Sequence, residues 1–197
     1  KKNGRTMRLT LVFICIIFIF VTAIFSNAEQ IYPLLEQPDI QPTPIIKGEV
    51  LVYSAKIGLF PFSAGKQSLE VVENTEVAGH NVYHLKAVAE TNGIFSKIYN
   101  FRNHEESYVT KDQFYPVLYT KKIQDRGYRA NYRVVFDLKG KAKIVKNNKK
   151  KELCVVSGIQ DELSMIYLVR TKKLNVGKKY KFFVLIGEKI YDVVLEV

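Results

Sequence analysis

The residues that could do chemistry in this chain are few, and their spacing sets the first limits. His80 and His84 are four apart. On a helix that spacing would offer two imidazoles to one metal ion. Here the stretch alternates like a strand, where four residues span about 13 Å, too far for a shared ion with bonds of about 2 Å. His104, in Asn103-His104-Glu105-Glu106, has carboxylates beside it, but adjacent strand residues point to opposite faces. We therefore expect no metal site and no cofactor. Paired carboxylates occur at Glu105-Glu106 and Asp161-Glu162. The first reads as a strand with one wet face and the second as a helix cap; nothing marks a glycosidase-like pair. There is no Gly-x-Ser-x-Gly elbow, no P-loop and no Gly-x-Gly-x-x-Gly turn. Cys154 lies between Leu153 and Val155-Val156 and reads as a small buried hydrophobe. Being alone outside the N-terminal apolar run, it has no partner for an internal disulfide.

Four polar residues merit attention: Arg102, Glu106, Asp161 and Arg170. Each sits beside apolar neighbours, so each is expected to be buried and paired. The preferred account is an Arg–Asp or Arg–Glu bridge anchoring a helix to a sheet. An enzyme would need Asp161, Arg102 and Glu106 to converge on one pocket. Basicity is local. The net charge is +11; residues 1–8 carry four cations, and Lys139–Lys151 carries seven lysines and no acid, leaving the remainder balanced. Lys146, Lys149, Lys150 and Lys151 form a basic surface tract. It suits anionic lipid head groups through charge, or it is a solvated hairpin that guards an edge strand from pairing. Frequent tyrosines suit a groove for a lipid or sugar, or cross-strand packing.

The elements that must position these residues read as strands and turns around one helix. Over Ser157–Thr171, Leu163, Ile166, Tyr167 and Arg170 recur at helical spacing, with Ile159 one turn earlier. Asp161 is the expected N-cap, and Arg170, Lys172 and Lys173 suit the negative end of the dipole. Met165 and Leu168 widen the apolar face, so the helix is expected to be deeply buried against the sheet, or to lid a cavity. Strands are predicted at 48–56, 65–73, 82–91, 101–110, 114–124, 128–138, 141–146, 180–186 and 190–197. A helical turn or bulged corner is predicted at 93–99. The fold class is mostly β: a curved antiparallel sheet or open barrel with one buried helix at about 157–171. The last predicted strand runs to Val197 without a turn, and further C-terminal strands are expected.

Before the folded part, residues 1–28 read as a signal peptide or signal anchor. Four cations precede a 17-residue apolar run at residues 9–25, and Ser26-Asn27-Ala28 offers small residues for cleavage. The run is also close to the length of a spanning helix. Residues 29–46 hold four of the six prolines and read as an extended tether. Residues 47–197 form one exported domain, periplasmic or anchored on the inner membrane and facing the periplasm.

Several segments together resemble one family. They are Gly48–Tyr53 with Ser63-Ala64-Gly65, Gly93–Tyr99, Glu106-Ser107-Tyr108, and Gln160–Ser164 running to Tyr167 and Arg170. The pattern is similar to domain of unknown function 3108, a family of exported proteins of Gram-negative bacteria, from about Lys47 to Val197. The helix segment is its most specific part, and Asn103 stands where an acidic residue is expected. The resemblance implies an antiparallel β domain in the periplasm, continuing past Val197, and implies no activity. The resulting expectation is a non-catalytic domain binding an amphipathic envelope component, a lipid or glycolipid, in the concavity of a curved sheet. The rivals are a structural protein docking on another envelope protein or on the membrane surface, and an uncharacterised envelope enzyme. Nucleic acid is not an expected partner in that compartment.

Overall fold

The computed structural model describes residues 42–56, 63–137 and 139–197. The signal-like segment, almost all of the proline-rich stretch and the break around Gly58 and Pro61 lie outside the described residues. Eight strands follow one another as a meander: β1 (Val50–Lys56), β2 (Ser63–Val77), β3 (His80–Thr91), β4 (Phe101–Thr110), β5 (Pro116–Asp125), β6 (Tyr128–Asp137), β7 (Lys141–Lys146) and β8 (Lys149–Cys154). Each pairs antiparallel with the next, so sequence order is spatial order. The sheet is open, with β1 and β8 as its edges, and is not closed into a barrel. A short helix, α1 (Gly93–Ile98), joins β3 to β4.

A second, three-stranded sheet follows. It contains β9 (Gln160–Asp161), β10 (Lys179–Ile186) and β11 (Lys189–Glu196) in the order β11-β10-β9. The β10–β11 pair is an antiparallel hairpin, and β9 lies parallel to β10. Between β9 and β10 comes α2 (Glu162–Arg170). This helix is shorter at its start than the expected 157–171. Gly158 turns the chain at φ +77°, where a residue without Cβ is favoured. Gln160 and Asp161 are extended and spend their backbone groups on β10. Asp161 then caps α2 through the N–H groups of Leu163 and Ser164, and Ser164 completes a capping box.

Two further expectations need correction. Cys154 is exposed rather than buried, because β8 is an edge strand and Cys154 points away from the core. Lys149–Cys154 itself is a strand that the sequence pattern did not announce, since a lysine run has no apolar alternation to read. Its register is held by β7, from Lys146↔Lys149 to Lys141↔Cys154.

Residues opposite one another across a ladder share a face. The inner face of the large sheet carries Leu69, Val71, Leu85, Ala87, Val109, Tyr119, Val134, Phe136, Ala142 and Ile144. Leu163 and Tyr167 of α2 and Leu185 of β10 join the same cluster. The concavity is thus filled by the helix packed directly on the strands, not left as a lidded cavity. At its closest, β2 passes β3 so tightly that a Cβ on Gly65 would meet the Glu90 carbonyl oxygen at 2.7 Å. Among the described residues the core is drawn from Ile45 to Leu185, all within the compact unit Asp39–Val197. That unit therefore carries its own folding core.

Candidate functional site

Three groups of polar side chains stand out, one on the inner face of the sheet and two on the outer face. The inner group holds α2 in place. Strand alternation puts Glu105 and Ser107 of β4 and Lys121 of β5 inward, beneath the start of the helix. Lys121 Nζ lies 2.5 Å from Glu162 Oε2 and 3.4 Å from Glu105 Oε1. Ser107 Oγ donates to Asp161 Oδ2 at 2.6 Å. Asn103 Nδ2 donates a hydrogen bond to Glu105 Oε1. Burial alone would lower the Lys121 ammonium; the two carboxylates outweigh it and raise it. Burial also pushes Asp161 up to about 7, against the Ser107, Leu163 and Ser164 bonds that favour its charge. The Tyr119 hydroxyl, buried beside the same carboxylates, is raised by desolvation first and by Glu105 next. Every charge in this group is committed to a neighbour within the fold. At the other end of α2, Arg170 Nη2 donates to Glu49 Oε2 at 2.9 Å and Nη1 lies 2.7 Å from Oε1.

The second group is on the outer face of β3 and β4. Two residues apart on β4, His104 and Glu106 share that face, and His84 of β3 lies opposite Tyr108. Glu106 takes one imidazole on each oxygen: His84 Nε2 at 3.1 Å from Oε2 and His104 Nε2 at 3.2 Å from Oε1. Tyr108 donates its hydroxyl to Glu106 Oε2 at 3.2 Å, and its ring stacks on His84 with centroids 4.4 Å apart. Burial would raise Glu106; the His84 bond and charge, the Tyr108 hydroxyl and His104 together hold it below the usual carboxylate range. Among the described residues no three His, Cys, Asp or Glu side chains are placed to hold a metal ion.

The third group lines a cleft of about 430 Å³ at the end of the sheet where β3 passes through α1 into β4. Its wall includes Lys66, Glu90, Asn92, Ser96 and Arg102. Lys66 Nζ and Arg102 Nη2 each lie 3.2 Å from a different oxygen of Glu90. Both cations are largely exposed, so they are tied to Glu90 but not consumed by it. Asn92 Oδ1 is buried without a hydrogen-bond partner. Outside that wall, on α1, Ile94 and Ile98 stand 73% and 74% exposed.

The sequence-derived candidates are therefore scattered. Arg102 and Glu106 share the outer face of β4 but belong to different groups. Asp161 and Arg170 lie at opposite ends of α2 over the inner face. Asp161, Arg102 and Glu106 do not converge on one pocket. In the basic tract, Lys149, Lys150 and Lys151 are exposed, whereas Lys146 is half-buried over the Tyr132 ring and 3.4 Å from Glu188. Sequence reasoning missed Lys121, Ser107, His84 with Glu106, and Lys66 with Glu90. Only strand register brings these together; the one available sequence signal was i, i+2 spacing of His104 and Glu106 within a strand.

An open antiparallel meander with a capped helix packed on its inner face defines the class: a mostly-β scaffold whose buried charges pair with one another. The chain belongs to the family described as Protein of unknown function (DUF3108), which matches residues 52–197. No curated protein and no solved structure matched the chain.

Proposed function

We propose that this is an exported, non-catalytic binding domain that takes an amphipathic component of the cell envelope at the cleft beside α1. The observation that carries the reading is the cleft itself, whose wall sets the exposed cations Lys66 and Arg102 on either side of Glu90. The two cations suit an anionic head group, which would share them with Glu90. The Asn92 side chain, on the same wall, adds a polar amide beside them. Ile94 and Ile98, exposed on α1 outside the cleft wall, would meet an apolar portion only where it extends beyond the cleft. This moves the expected site from the concavity, which α2 fills, to the end of the sheet. Export is supported by the basic and apolar N-terminal pattern of the sequence.

Native mass spectrometry tests it on the chain from Glu29, purified gently from the periplasm. The expected result is an added mass that is lost on denaturation and is absent from the Lys66→Gln, Arg102→Gln double variant. A clean unliganded mass for the unmodified chain would refute the reading. So would an added mass that the double variant retains.

A further inference from the structure

We propose that the outer face of β5–β8 is a docking surface for an anionic phospholipid bilayer. Of the lysine tract, Lys141, Lys143 and Lys150 belong to it, whereas Lys149 and Lys151 alternate to the other face. Register places Lys122 of β5, Arg129 and Arg133 of β6, Lys141 and Lys143 of β7 and Lys150 of β8 on one side of four consecutive strands. No bulge interrupts those three ladders, so the alternation holds across all four strands. All six are exposed. Only two acids share the area: Glu152, which takes Lys141 at 2.8 Å, and Asp137. Among the described residues the other five cations make no ion pair.

The occupant follows from what the face contains and what it lacks. It carries no aromatic side chain, so it has no platform on which bases would stack. Nor does it offer a large apolar anchor; Val135, 40% exposed, is the most prominent apolar group. A protein partner would ordinarily need such an anchor in a pocket. Strands about 4.8 Å apart present the cations as a two-dimensional array of point charges. Laterally mobile anionic head groups can rearrange to meet such an array, each cation adding to the attraction. Chain geometry agrees: the apolar run at residues 9–25 lies 24 residues before β1, within about 80 Å even when fully extended. Retained in the membrane, that run would limit the domain to that distance from the bilayer without choosing a face; cleaved, it would leave the contact to the charged face. The inference does not depend on what occupies the cleft beside α1.

The test is co-sedimentation of the chain from Glu29 with vesicles. That chain contains the unit Asp39–Val197 with its own core, and circular dichroism confirms the fold of each variant. Binding is expected to vesicles containing phosphatidylglycerol and not to pure phosphatidylcholine, weakening steeply with salt. Replacing Arg129, Arg133, Lys143 and Lys150 with Gln should weaken it by about fivefold per charge, or several hundredfold together. A control removes four charges elsewhere: Lys149, Lys151, Lys172 and Lys178 to Gln. It should retain most of the affinity. Equal loss in both variants would reduce the effect to net charge and overturn the proposal. So would absence of binding to phosphatidylglycerol, or binding only to an acidic protein or polynucleotide.

Discussion

Ser107 Oγ, on the fourth strand of the sheet, donates a 2.6 Å hydrogen bond to Asp161 Oδ2, the cap of α2, across 54 positions of sequence. The other oxygen of that carboxylate takes the N–H of Leu163 at 2.9 Å and of Ser164 at 2.7 Å. One buried carboxylate thus starts the helix and fixes it to the sheet.

Replacing the two partners should cost unequal amounts. Ser107→Ala removes one bond and leaves the cap, for a loss of about 1–2 kcal/mol. Asp161→Ala strands two buried helix donors and the Ser107 hydroxyl, for about 2–4 kcal/mol. Urea denaturation of the two variants gives the order, and a larger loss for Ser107→Ala would refute Asp161 as the hub.

The same carboxylate should make stability depend on pH. Its folded value, pushed up to about 7 by burial, lies above its ordinary 3.8. Between those values the folded chain holds the proton that the unfolded chain releases. Asp161 therefore lowers stability as pH rises from about 4 to about 7, and adds no slope outside that window. The stability difference between the natural chain and Asp161→Asn should follow this slope; a difference constant from pH 4 to 7 would contradict it.

Among the described residues Lys121 is the cation that pairs with both Glu105 and Glu162, with a side chain 10% exposed. Lys121→Met leaves two buried carboxylates facing each other and should cost about 3–5 kcal/mol. Adding Glu105→Gln and Glu162→Gln should recover most of that loss. Thermal melts of the single and triple variants decide it; a triple variant no better than the single one would mean that packing of the lysine stem, not charge, dominates.

On the outer face, His84 is the chief group opposing the effect of burial on Glu106. Carbon-detected NMR titration should find the Glu106 carboxyl below its ordinary 4.5, and His84→Ala should raise it. Because the folded value is the lower one, the stability that Glu106 contributes is present above the ordinary value and is lost as pH falls through the folded one. An unchanged Glu106 titration in His84→Ala would assign the effect to Tyr108 and His104 instead.

The local parts of this fold were written in the sequence. The strand at 101–110 and the hairpin around Gly187 depend on alternation and turn chemistry over a few residues, and so does the Asp161 cap. The Arg170–Glu49 pair follows the anticipated kind of bridge, though the sequence could not name Glu49 as the partner. The helix start was misplaced because Ile159 fits helical spacing. The parallel pairing of Gln160 and Asp161 with β10 outweighs that periodicity, and its partner lies more than twenty residues away. Register between strands decided the rest. It turns Glu105 and Lys121 inward to meet Glu162, sets His84 and His104 on one carboxylate, and joins Lys122, Arg129 and Arg133 to the lysine tract. A slip of one residue would send each of those side chains to the opposite face. Each such placement is fixed by partners distant in sequence, whereas composition and spacing report only the near neighbours.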